Sequence, residues 1–145
     1  MTADEWWLIA HLGGTALMVG FIWTIQLLSY PMMAAVPADD FPAYEAAHTR
    51  RVTHTLAVIA PLEVATAAGV ALFVDAVPNW LSIGAGALLA AIWVSTGLFY
   101  APLHGRLSAG FDPALHRRLV TTNWVRTIAW TARGAAAVAM FAVAT

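Results

Sequence analysis

Cysteine and lysine are both absent from this chain. The first absence excludes disulfides, thiolate metal ligands and cysteine nucleophiles. The second leaves all basic charge to seven arginines. Charge of either sign is scarce: Asp, Glu, Lys and Arg make up 10 % of the 145 residues, against about 25 % in an ordinary soluble domain. No Gly-rich dinucleotide or P-loop motif occurs, and Ser29, Ser82, Ser95 and Ser108 lack the glycine-flanked setting of a nucleophile elbow. The basic groups are too few and too interfacial for a nucleic-acid partner; anionic lipid accounts for them more simply.

What fills the chain instead is apolar. Hydrophobic residues make up 61 %, and the mean hydropathy is +0.73. Four runs reach the roughly 20 residues needed to cross a bilayer: Trp6–Tyr30, Val52–Val74, Trp80–Ala101 and Leu119–Val143. The first follows Asp4 and Glu5, whereas a signal peptide opens with basic residues. The pattern predicts an all-α integral membrane four-helix bundle, one domain over residues 1–145, in the bacterial inner (cytoplasmic) membrane. Arg50 and Arg51 precede the second run, and Arg106, Arg117 and Arg118 lie between the third and fourth. Positive-inside counting puts those two connections in the cytoplasm and both termini outside.

The connections carry their own signals. Tyr30-Pro31 is expected to close the first span, because proline lacks the N–H that continues a helix. Asp39 or Asp40 is expected to cap a second helix with Pro42 in its first turn, running through Tyr44, Glu45, His48 and Arg51 and on past Pro61. Asp75–Trp80 reads as a tight outer turn and Pro102–Pro113 as a longer inner loop, with Asp112-Pro113 opening the fourth helix. Trp6, Trp7 and Trp80 fit an outer aromatic belt, and Tyr30 and Tyr100 fit an inner one as readily as they fit chemistry. The glycines at 13, 14, 20, 69, 84, 86 and 97 suggest close helix packing, within one chain or between copies of a homo-oligomer.

Polar residues inside these runs are the functional signal. At about 100° per residue, Asn123, Arg126, Trp130 and Arg133 share one stripe of the fourth helix. A charge at membrane depth faces the bundle interior and finds a partner there. Glu63 lies about 18 Å beyond Arg51, between the depths of Arg126 and Arg133, which lie about 12 and 22 Å beyond Arg118. A Glu–Arg clamp between helices is therefore expected, and it leaves one arginine for an anion. Gln26 with Tyr30, and Thr96 with Tyr100 and His104, add polar groups at matching depth. His54, Glu63, Tyr100 and His104 are the candidate acid–base groups, while Gln26, Tyr30, Arg51, Thr96, Asn123, Arg126, Trp130 and Arg133 are candidates for holding a substrate. His48 and His54 are 240° apart on one helix and form no two-ligand face; with His104 and Glu45 or Glu63 they remain candidates for a divalent metal. His116, beside Arg117 and Arg118, suits an interfacial or lipid role. His11, alone in the first run, is either a structural hydrogen-bonding group or a cofactor ligand or proton-transfer group.

Three features together, His11, Tyr30-Pro31 and a second helix with Pro61 and Gly69, resemble the small four-helix protoporphyrinogen oxidases of the bacterial haem pathway. The likeness covers little more than the first half of the chain. It implies porphyrinogen oxidation, haem b on His11, and substrate propionates on Arg126 or Arg133. The residues themselves lead to a membrane-embedded enzyme or redox protein with an amphipathic, anionic substrate or membrane lipid in a pocket open to the cytoplasmic half. The alternatives are a non-enzymatic binding or assembly protein with a structural Glu–Arg core, and an oligomeric ion or small-solute pathway.

Overall fold

The computed structural model describes all residues, Met1–Thr145, and holds helices joined by short turns, with no strand. Four long helices make up the bundle: α1 (Ala3–Met33), α2 (Phe41–Phe73), α3 (Asn79–Leu107) and α4 (Pro113–Ala144). Each is long and apolar enough to cross a bilayer. At 1.5 Å per residue they run for about 45 Å, longer than the roughly 30 Å hydrocarbon core of a bilayer. α1 packs most extensively against α4 and α2, and α3 leans chiefly on α4.

Local chemistry explains the helix starts. Thr2 and Glu5 form a reciprocal capping box: the Thr2 hydroxyl accepts from the Glu5 N–H at 3.2 Å, and the Glu5 carboxylate accepts from the Thr2 N–H at 2.8 Å. Asp112 Oδ1 accepts from the N–H groups of Ala114 and Leu115 at 2.8 and 3.1 Å, with Pro113 in the first turn. Asp40 does stand at the start of α2, but its side chain caps nothing. Its φ of −91° and ψ of −14° are already helical, whereas a capping side chain needs an extended backbone to reach forward.

Two helix ends fall beyond their expected positions. α1 continues past Tyr30-Pro31 to Met33, and α3 continues past Ala101 to Leu107, so the first half of the expected 102–113 loop is helix. In both, a π-helical turn precedes the proline: Ile25–Ser29 before Pro31, and Thr96–Tyr100 before Pro102. Each is closed by an i to i−5 bond, from the Tyr30 N–H to the Ile25 carbonyl and from the Ala101 N–H to the Thr96 carbonyl. The wider turn shifts the hydrogen-bond register just where a proline could not donate, so the helix bends rather than stops. It also swings Tyr30 and Tyr100, 3 % and 6 % exposed, into the core instead of onto an aromatic belt.

The core has three apolar layers. Met33, Phe41, Leu107 and Leu119 close the end that holds the two arginine-bearing connections. Met18, Ile22, Leu89, Ile92 and Trp130 fill the middle. Leu8, Val70, Val74 and Met140 fill the opposite end. Outward faces carry Leu72, Val58, Val125 and Ile128, while His11, Gln26, Glu45, Glu63, Asn123 and Arg133 are buried. Only some of the glycines serve close packing. A Cβ at Gly14 would meet the Glu63 backbone at 3.4 Å, and one at Gly69 would collide with the Trp7 ring at 2.3 Å. Gly13, Gly20, Gly84, Gly86 and Gly97 have open space at that position and mark no close contact.

Candidate functional site

The buried polar groups collect into two centres separated by the middle apolar layer. The first lies at the end of the bundle that holds the arginine-bearing connections. His104, on the last turns of α3, reaches Glu45 on α2 through Nδ1 at 2.5 Å and Tyr30 on α1 through Nε2 at 2.9 Å. In the neutral imidazole this is one directed chain: Nδ1–H donates to the carboxylate, and the Tyr30 O–H donates to Nε2. Thr49 adds a hydroxyl donor to Glu45 Oε1 at 3.3 Å, while Glu45 Oε2 is buried without a partner. His48 lies against His104 and Tyr44 with ring centroids 5.8 and 6.3 Å away.

Arg126 faces the same space from α4. Its guanidinium carbon sits 4.5 Å from the Tyr100 ring centroid, a cation–π contact. Its one hydrogen bond runs from Nη1 to Asn123 Oδ1, long at 3.3 Å, and its buried Nε has no partner. No carboxylate pairs with it. Gln26, displaced inward by the π-helical turn of α1, sets the direction of this contact: Asn123 Nδ2 donates to Gln26 Oε1 at 2.8 Å, and Gln26 Nε2 donates to the Val120 carbonyl at 3.2 Å. Tyr100 is fixed by donation to the Thr122 carbonyl at 2.9 Å. Tyr30, His48, Tyr100, His104 and Arg126 thereby line one cavity of about 130 Å³ with an apolar wall of Phe21, Ile22, Val52 and Leu56.

The second centre belongs to Glu63 and Arg133. Arg133 donates through Nη2 to Glu63 Oε1 and through Nη1 to the Ala85 carbonyl, tying α4 to α2 and α3. Thr15 donates to the same Glu63 oxygen at 3.4 Å, where Gly14 allows α1 to approach. His11 lies beside this pair, with Nδ1 3.5 Å from the Thr66 hydroxyl. Trp130 covers Arg133 at 5.8 Å and meets Trp93 edge-on at 6.4 Å.

No family model, curated protein or solved structure matches this chain. Chemistry must therefore be read from the geometry.

The structure brings together Gln26, Tyr30, Tyr100, His104, Asn123 and Arg126, and puts Thr96 on the cavity wall with its hydroxyl on the Ile92 carbonyl at 2.8 Å. Arg51 and His54 lie on exposed faces, outside the site. The His48, His54 and His104 metal grouping is therefore corrected: His54 is turned away by its 240° offset, and no three His, Asp or Glu side chains form a cage for an ion. His11 lies beside the Thr66 hydroxyl and shares a cavity of about 230 Å³ with Arg133. Arg133 is engaged by Glu63 and Ala85, and Arg126 opens onto a different cavity. His116 donates from Nε2 to the Tyr30 carbonyl at 2.8 Å, covering an orphan acceptor at the end of α1.

Sequence reasoning weighed Glu45 only as a metal ligand and passed over Thr15, Thr66 and Thr127. Glu45 lies before the apolar run of its helix, where a carboxylate reads as solvated. The available signal was its i, i+3 and i, i+4 spacing to His48 and Thr49. The threonines looked like helix filler, although Thr15 and Thr127 are fully buried.

Proposed function

We propose that this chain is a multi-pass protein of the bacterial inner membrane, acting as an acid–base enzyme on an amphipathic, anionic substrate. Support for membrane embedding comes from the inverted pattern of apolar outer faces and polar interior, which suits lipid better than water. The gathering of Arg50, Arg51, Arg106, Arg117 and Arg118 at one end of the bundle supports a cytoplasmic orientation for that end.

One observation carries the functional reading: the Tyr30–His104–Glu45 chain opens onto the same cavity as an arginine that has no carboxylate partner. Arg126 would hold the substrate's anionic group. Tyr30 would exchange a proton with the substrate through its hydroxyl, His104 Nε2 would take or return that proton, and Glu45 would hold the ring and offset the imidazolium charge. The π-helical turns fit this role, since such turns recur at functional sites.

The Glu63–Arg133 centre supports a second, structural reading for that half of the bundle. It joins three helices through one guanidinium and faces no free cation. The middle layer of Met18, Ile22, Leu89, Ile92 and Trp130 interrupts any polar route between the centres and weighs against an ion pathway through one protomer.

Purification in mild detergent, followed by an absorption spectrum and native mass analysis, tests the proposal. The expected result is a colourless protein carrying an anionic, lipid-soluble molecule that Arg126→Gln loses. A stoichiometric Soret band abolished by His11→Ala would overturn it, as would an Arg126→Gln protein that retains the same bound molecule.

A further inference from the structure

We infer that the anion held by Arg126 belongs to a membrane lipid, which reaches the site sideways with one acyl chain lying in a groove on the outward side of α2. This inference rests on the reading of Arg126 as an anion anchor and names what carries the anion.

Three observations lead to it. First, a shallow groove of about 550 Å³ lies on the outward side of α2, lined by Leu56, Ala57, Ala60, Pro61 and Val64, with Trp93 as its one residue from α3. Small residues at 57 and 60 keep α2 thin where α3 does not cover it. Second, the groove adjoins the polar cavity, with Thr53 and Leu56 lining both. A shallow apolar groove with a cation at one end that no carboxylate neutralises has the polarity of a fatty acid or an acidic lipid. A small soluble anion would satisfy Arg126 and leave the groove empty. Third, the length fits. From Thr53 to Val64 is eleven helical steps, about 16 Å, close to half of the roughly 30 Å hydrocarbon core and so to the depth of one leaflet. A lipid of the leaflet nearest the arginine-bearing connections could therefore enter without leaving its own layer.

Trp93 supplies the reporter. With the protein in nanodiscs of zwitterionic phosphatidylcholine, a stearate brominated at mid-chain is titrated in and indole fluorescence is recorded. Saturable quenching is expected, most of it lost in Trp93→Phe. Affinity should fall by about tenfold or more in Arg126→Gln, as loss of a charge-assisted contact implies. It should fall comparably in Ala60→Phe, which fills the groove. Ala57→Phe, at a more exposed position, repeats the block if Ala60→Phe fails to give a helical circular dichroism spectrum.

If Arg126→Gln weakens binding while neither groove variant does, the lateral acyl chain is refuted and the anion anchor stands. Unchanged binding in Arg126→Gln refutes both readings. Quenching that disappears as the protein doubles in mass would assign the groove to a second copy of the chain and overturn the lipid.

Discussion

Removing one member of the Glu63–Arg133 pair is expected to damage the bundle unequally, and removing both is expected to repair most of the damage. Glu63 is fully buried and Arg133 is 2 % exposed. In Glu63→Leu the guanidinium keeps only the Ala85 carbonyl, and arginine cannot release its proton to escape the penalty. The full cost of an uncompensated buried charge then applies, about 3–5 kcal/mol. In Arg133→Met the carboxylate can neutralise itself by taking up a proton and can keep Thr15 as a partner. Its cost falls toward that of an imperfectly bonded polar group, about 1–3 kcal/mol. The double Leu/Met variant places two apolar groups where the ion pair stood, an exchange that is neutral to mildly stabilising in comparable cores. It should lie within about 1 kcal/mol of the parent, giving a coupling of about 3 kcal/mol or more. Equilibrium unfolding of the four proteins in mixed micelles, driven by added dodecyl sulfate and followed by circular dichroism, measures each term. Single effects that add in the double variant to within about 0.5 kcal/mol would refute the argument. So would an Arg133→Met protein less stable than Glu63→Leu.

Asn123→Leu removes the donor to Gln26 and the acceptor from Arg126; a loss of about 1–3 kcal/mol is expected in the same unfolding assay, together with weaker retention of any bound anion. Gly69→Ala drives a methyl into the Trp7 ring and should destabilise by about 1–3 kcal/mol. Gly13→Ala, inside a helix and with open space at its Cβ, should stabilise by up to about 1 kcal/mol. Because the native chain has no cysteine, single cysteines report orientation directly. In intact cells a membrane-impermeant maleimide should label Ala76→Cys and leave Ser108→Cys unmodified until the membrane is opened. The reverse pattern would invert the proposed topology.

The composition and periodicity of the chain determined the all-helical class, the four long apolar segments and the inward stripe of α4. Apolar runs of that length need internally satisfied backbone groups, and helices supply them. The pairing of a carboxylate with one of two α4 arginines was also within reach, since rise per residue sets Glu63 at a depth between them. Which arginine it joins was a tertiary matter. Gly14 lets α1 approach Glu63, and the Ala85 carbonyl completes the bonds of Arg133, so Arg126 is left facing a cavity. Glu45 is the clearest case of a residue hidden from the sequence. Its spacing to His48 and Thr49 shows only a shared helix face, and its role arises because α3 continues past Pro102 and carries His104 over it. The two π-helical turns decide that continuation and the inward aim of Tyr30 and Tyr100. A proline in a sequence says that one backbone donor is missing. Whether the helix then ends or shifts its register depends on what the surrounding helices offer the displaced side chains.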